Sequence, residues 1–312
     1  MRVYVGRIIT VFLVWIGTGL LLYPTIASWN YQYNQNNILG TLGETFEHVS
    51  PDKNEQISMA RKYNDALESG FDVKANVNVP TSGGELNESQ LGLWPYEEIL
   101  KGTESGVMGR IIVPVADVDI PIYHGTSEET LLKGAGHLEG TSLPVGGKGT
   151  RSVITAHRGL ADATMFTNLD RVVEGDTFTL NIFGEVMTYR AVDIQVVAPE
   201  DSQSIKAEPG RDLVTLVTCT PLGINSHRIL VTGERVFPTP NKDVSKATEK
   251  SELPHFPWWA IVIGAVLIGG VGTLIHSVIG IRREKHMITI ENSSQTGELT
   301  TEESSSITGD KI

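Results

Sequence analysis

The sequence predicts a mainly β domain, a closed barrel or a sandwich of short strands, flanked by two apolar helices. Three observations carry this. Between Gly106 and about residue 238, short runs of Val, Ile, Thr and Tyr are punctuated by Gly, Asp and Pro, which is the texture of strands and turns. Residues 8–23 and 257–281 contain no Asp, Glu, Lys or Arg, which suits bilayer crossing. Residues 41–70 show helical spacing, with Ile57, Ala60, Ala66 and Leu67 near one face among Glu, Lys and Asp.

In chain order, IITVFLVWIGTGLLLY follows Arg2 and Arg7. Continued through PTIAS, it reaches the ~20 residues a spanning helix needs. It reads as an uncleaved anchor over 1–29, with a signal peptide cut near Thr25 and Ala27 as the alternative. Residues 30–73 read as a helical stalk. Residues 74–105 read as a lid-like loop region around VNVPTSGGELNESQ, with Pro80 and a Gly83-Gly84 pair. The barrel spans 106–238, with one briefly helical stretch at DATMFTNLDRVV, and a linker covers 239–256. The second apolar run, 257–281, has Trp258 and Trp259 at one end and Arg282, Arg283 and Lys285 at the other. Aromatic residues mark a membrane interface, and basic residues mark the cytoplasmic side. Both termini are therefore expected in the cytoplasm and the strand-rich part outside the cell membrane. The tail, 282–312, is rich in Ser, Thr and Glu and reads as disordered.

Composition removes several functions. A net charge of −12 and an isoelectric point near 5.1 argue against a phosphate-binding, nucleic-acid surface. No GxGxxG, phosphate loop or metal-ligand Cys/His spacing occurs, so no cofactor and no metal is expected.

The remaining signal is TLVTCTPLGINSHR. Cys219 is the only cysteine in 312 residues, so it has no internal disulfide partner. A thiol reacts as its thiolate and needs a base or positive charge nearby. His48, His124, His137, His157, His227 and His255 all lie in the same part of the chain, and spacing alone does not choose among them. His157 and Cys219 end the strand-like runs RSVITAH and DLVTLVTC. Parallel neighbours would bring both to one rim. Arg228 opens RILVTGERV, the natural hairpin partner of DLVTLVTC. Its guanidinium suits a developing oxyanion or a substrate carbonyl. Each residue has a bland alternative. A strand cysteine is commonly a small buried hydrophobe, a strand-end histidine a turn residue, and an arginine a solvated charge. The combination points to a cysteine nucleophile.

TLVTCTPLGINSHR resembles the TLxTC…R signature of sortases, the membrane-anchored cysteine transpeptidases of Gram-positive bacteria. ITAHRGL resembles the segment that carries their histidine. The string from GVMGRIIVPVADVDIPIYHG to ITAHRGL, with a second membrane segment after the barrel, is similar to the class C, pilin-polymerising branch. The resemblance covers roughly residues 30–285. It implies a closed eight-stranded sortase-type barrel, Cys219 as nucleophile, His157 as acid/base, and Arg228 steadying substrate and oxyanion. The implied substrate is a surface protein bearing an LPxTG-like signal, cut between Thr and Gly. The implied acceptor is a pilin lysine amine, or a lipid II amine for a housekeeping sortase. A non-enzymatic membrane-tethered docking protein is the alternative outside the family's chemistry. An L,D-transpeptidase-like enzyme would need an SHGC-type motif, which is absent. Class C sortases usually carry an Asp-Pro-aromatic lid motif. Here NVNVPTSGG places Val79, Pro80 and Thr81 there, with neither the acidic nor the aromatic anchor. Trp94, in Trp94-Pro95-Tyr96, is the nearest aromatic alternative.

Overall fold

The computed structural model describes residues 2–49, 51–68, 92, 94–102 and 106–306. The chain forms two compact units, one from 1–26 with 256–312 and one from 27–255.

The larger unit contains eight strands: β1 (Val107–Val113), β2 (Val118–His124), β3 (Ala135–His137), β4 (Thr150–Thr155), β5 (Thr177–Ile182), β6 (Glu185–Val197), β7 (Asp212–Thr220) and β8 (His227–Arg235). They close into a barrel in the order β1-β2-β3-β4-β7-β8-β6-β5. Closure leaves no open sheet edge, so both neighbours of each strand are internal. Most contacts are antiparallel, but β2 with β3 and β4 with β7 are parallel. Pro121, which lacks an N–H, lies in β2 just before the point where β3 joins at Ile122, so it interrupts no β2–β3 bond. The interior is packed by Ile111, Ile120, Ile122, Leu180, Leu216 and Val231, all at most 1% exposed. A Phe178–Tyr189 stack, with centroids 5.7 Å apart, fills one side. Gly233 faces it, and a Cβ there would come within 2.5 Å of Phe178.

Two helices precede the barrel, α1 (Arg2–Glu47) and α2 (Lys53–Glu68). The expected stalk over 30–73 is not a spacer. Leu39, Leu42 and Phe46 of α1 and Ile57, Met59, Ala60 and Tyr63 of α2 are buried in the barrel's main core cluster. Phe46 stacks on Phe183 at 4.4 Å. Asn64 hydrogen-bonds both backbone groups of Leu143, accepting from its N at 2.7 Å and donating to its O at 3.0 Å. The helical face was visible in the sequence, and it docks on the strands because burial removes it from water.

Three further expectations change. DATMFTNLDRVV forms only a 3₁₀ turn at Leu169–Arg171. The helix that does form in the barrel is α3 (Glu128–Leu131), whose N-cap Ser127 accepts a bond from the Thr130 N–H. The linker 239–256 contains α4 (Asn241–Thr248) and is fastened to the barrel. Arg110 pairs with Asp119 through Nε and Nη2 at 2.6 and 2.7 Å. Its Nη1 donates to the carbonyls of Ala247 and Glu249 at 3.1 and 2.8 Å. Ser251 hydrogen-bonds Asp119, and Asn36 of α1 donates to Leu253 O at 3.0 Å.

The smaller unit holds the N-terminal part of α1 and the helix α5 (Trp258–Ser306). Both helices are long and apolar enough to cross a membrane. Tyr4 lies against Gly280 and Trp15 against Gly270, so the two run antiparallel. α5 continues past residue 281, into the tail expected to be disordered, and no proline stops it before Ser306.

Candidate active site

β7 is the centre of the site. It is flanked on one side by β4, running parallel, and on the other by β8, running antiparallel. The β7–β8 register pairs Cys219 directly with Arg228 and Thr220 with His227. Directly opposed residues project to the same face with Cβ atoms roughly 5 Å apart. On the other side, Thr155 pairs with Val217. The two chains stay together beyond that point, because Ala156 N donates to Val217 O at 3.3 Å and Thr218 Oγ1 donates to Ala156 O at 2.8 Å. Continued for two more positions, that register sets His157 level with Cys219. The thiol therefore sits between the histidine and the arginine, on three adjacent segments at one rim. The register brings together all three predicted residues.

Cys219 is half-buried and free. The His157 side chain is 20% exposed, and the carboxylate of Glu128 lies 3.2 Å from its Nε2. That contact lacks hydrogen-bond geometry, and Nε2 has no hydrogen-bond partner among the described residues. Arg228 is held by the β7–β8 turn, with Nη1 donating to Asn225 O and His227 O at 3.0 Å each. Asn225 adopts a left-handed φ of 58° there, a conformation asparagine tolerates.

The other histidines are occupied elsewhere. His137 is fully buried. Its Nδ1 meets Tyr96 Oη at 2.9 Å and its Nε2 meets Ser142 O at 2.9 Å. Nε2 therefore carries the proton and Nδ1 accepts from Tyr96. Gly125 N–H in turn donates to Tyr96 Oη at 3.1 Å. Burial pushes His137 down to about 3. His124 points both ring nitrogens at carbonyls, Gly106 O at 3.0 Å and Ile99 O at 2.7 Å. Burial holds it below its ordinary range against the pull of those two acceptors. His227 is exposed on the turn beside Ser226, and His48 is exposed at the end of α1.

A pH dependence of stability follows from His137. Its unfolded value is 6.5 and its folded value about 3, so between them the unfolded chain binds the extra proton. Stability is complete above 6.5 and falls as pH drops toward 3. By pH 5 His137 alone costs about 2 kcal/mol, and His124 acts with the same sign. We expect the melting temperature to fall by several degrees between pH 7.5 and 5, with a flatter slope in His137→Gln. A melting temperature constant over that range would contradict the buried neutral histidine.

Of the lid positions, Val79, Pro80 and Thr81 lie outside the described residues. Trp94 is half-buried against the core. Tyr96, two residues on, is the anchored aromatic at 4% exposure. Among the described residues no group of three or more His, Cys, Asp or Glu could hold a metal.

Sequence reasoning missed Glu128 and Arg158. Neither carries a pattern, and only the fold brings the α3 carboxylate beside His157. Arg158 was legible only as the neighbour of His157.

The family description "Sortase domain" matches residues 111–236, which include the thiol, the histidine and the arginine. Sortase C-1 from Actinomyces oris is 46% identical, with a TM-score of 0.51, over 59% of this chain and 98% of that one. The chain belongs to the sortase family. Other solved relatives of this sortase include Streptococcus pneumoniae sortase C, at 36% identity and TM-score 0.54, over 65% of this chain and 98% of that one. Class C sortases are thus among its structural neighbours. Among curated proteins, sortase A of Streptococcus agalactiae is 31% identical over 46% of this chain and 60% of that protein. The sortase spans about 60% of the length of the first curated relatives it matches.

Proposed function

We propose that this sortase is a membrane-anchored cysteine transpeptidase that cuts an LPxTG-like signal between Thr and Gly and transfers the acyl group to a pilin lysine. The observation that carries the reading is the register that pairs Cys219 with Arg228 and, continued past Thr155–Val217, leads His157 to the other side of the thiol. The Cys219 thiolate attacks the Thr carbonyl carbon. Arg228, its guanidinium directed by two carbonyls, offers positive charge to the oxyanion. Collapse breaks the Thr–Gly bond, and the departing amine takes a proton from the His157 imidazolium. The Thr acyl group remains as a thioester on Sγ. His157 then takes a proton from the incoming amine, which attacks the thioester and releases the thiolate. The sum exchanges one amide for another, so no energy source is required, and covalent catalysis divides it into two acyl transfers.

Polymerisation is supported by the sortase C relatives, among them the Streptococcus pneumoniae enzyme, described with pilin substrate specificity. Membrane attachment is supported by the two apolar helices. Their antiparallel pairing and the basic cluster Arg282, Arg283 and Lys285 favour both termini in the cytoplasm, with the barrel outside. The acceptor distinguishes pilus assembly from anchoring. Full chain in detergent is given an LPxTG peptide with either a lysine side-chain amine or a lipid II-type amine. Preferential formation of the lysine isopeptide is the expected outcome. Preferential transfer to the lipid II-type amine would make this a housekeeping sortase.

A further inference from the structure

We infer that Arg158 is a positioning residue that locks the His157 segment to the end of β7, and so sets the His157–Cys219 geometry; this rests on the catalytic roles proposed above. Its side chain is 9% exposed, and its guanidinium binds two separate pieces of chain at three points. Nε donates to Thr167 O at 3.1 Å. Nη1 donates to Thr220 Oγ1 at 2.9 Å. Nη2 pairs with Asp170 at 2.7 Å. Arg158 directly follows His157, and Thr220 directly follows Cys219. One planar fork therefore ties the two reacting side chains together through their next neighbours.

The need for such a clamp lies in the topology. Cys219 and Arg228 are fixed by a hairpin ladder. His157 lies beyond the last β4–β7 pair, Thr155 with Val217, where the chain leaves the sheet. The loop is drawn back by Phe166 N donating to His157 O at 3.0 Å and by Gly159 N donating to Thr167 Oγ1 at 3.0 Å. Among the described residues, the Arg158–Thr220 bond joins that loop, beyond His157, to the end of β7. Lysine's three donors diverge from a single nitrogen, so they cannot span three acceptors spread around a planar fork. A displacement near 1 Å at reacting groups can cost about 100-fold in rate.

Cys219 is the chain's only cysteine, so alkylation reads this site without needing a substrate. In the detergent-solubilised full chain, the pH profile of iodoacetamide labelling is measured for the native protein, His157→Ala, Arg158→Ala, Arg158→Lys and Thr220→Val, alongside kcat and KM for an LPxTG peptide and thermal melting. Arg158→Ala is expected to shift the labelling profile toward that of His157→Ala and to lower kcat by about 100-fold with KM within about 3-fold. Arg158→Lys does not restore it. Thr220→Val, which deletes only the acceptor hydroxyl, shows a smaller loss of the same kind, and the double variant is no worse than Arg158→Ala alone. If Arg158→Ala does not fold, Thr220→Val decides. Native labelling profiles and kcat in the folded Arg158 and Thr220 variants would overturn the inference, as would losses that appear only in KM or simply add. If the native chain shows the histidine-dependent labelling profile but cleaves no sorting peptide, the proposed function fails while the positioning role stands.

Discussion

Cys219→Ala is expected to abolish acyl transfer in the full chain, with a loss on the order of 10⁴-fold or more, while its melting temperature stays within about 2 °C of the native protein. The two halves of this expectation have separate causes. The nucleophile supplies the sulfur that becomes the thioester, and no second thiol exists to replace it. Its packing role is small, because the residue is half-buried at the rim and Ala keeps the Cβ. Transfer assays with mass detection, run beside thermal melts, read both. Polymer formation by Cys219→Ala would remove the enzyme reading and return the non-enzymatic docking protein.

Arg110→Met is expected to produce the largest loss of stability, about 3–5 kcal/mol, because it leaves Asp119 buried without its partner. The pair is 6% and 8% exposed, so water cannot take over the charge. It is also a junction. Asp119 holds Ser251 of the C-terminal strap and, through its carbonyl, accepts from Gln32 of α1 at 2.8 Å. Arg110 holds the carbonyls at 247 and 249. Losing the guanidinium should release the strap as well as lower the melting point, by roughly 10 °C for a domain of this size. Limited proteolysis between 241 and 255 reports the release. The double replacement Arg110→Met with Asp119→Leu should recover part of the loss, because it removes the orphaned charge. A single-variant cost under about 1 kcal/mol would contradict the burial of the pair.

Much of the candidate site's strand pairing was legible in the sequence. Cys219 and Arg228 are close in sequence with turn residues between them, so a hairpin is the natural way to pair them, and the pairing follows. His157 required a parallel neighbour for β7, which local pattern cannot supply because β4 and β7 lie some 60 residues apart. The resemblance supplied that choice, and the register agrees with it. β3 was invisible, since Ala135–His137 is three residues of Ala, Gly and His with no alternation to read. The docked stalk and strap were missed for a related reason. An amphipathic face shows that something must cover it, but not what does. Arg158 and Glu128 escaped because their significance lies in tertiary neighbours.

On the proposed mechanism, Cys219 forms a thioester with the Thr of a sorting signal. The most direct measurement incubates the full chain in detergent with an LPxTG peptide and no acceptor amine, quenches in acid, and maps adducts by mass spectrometry. The expected adduct has the mass of the acyl fragment through Thr, is bound at Cys219, is absent from Cys219→Ala and is discharged by an added lysine amine. An unmodified thiol across a range of sorting peptides, in folded protein whose Cys219 still reacts with iodoacetamide, would contradict it.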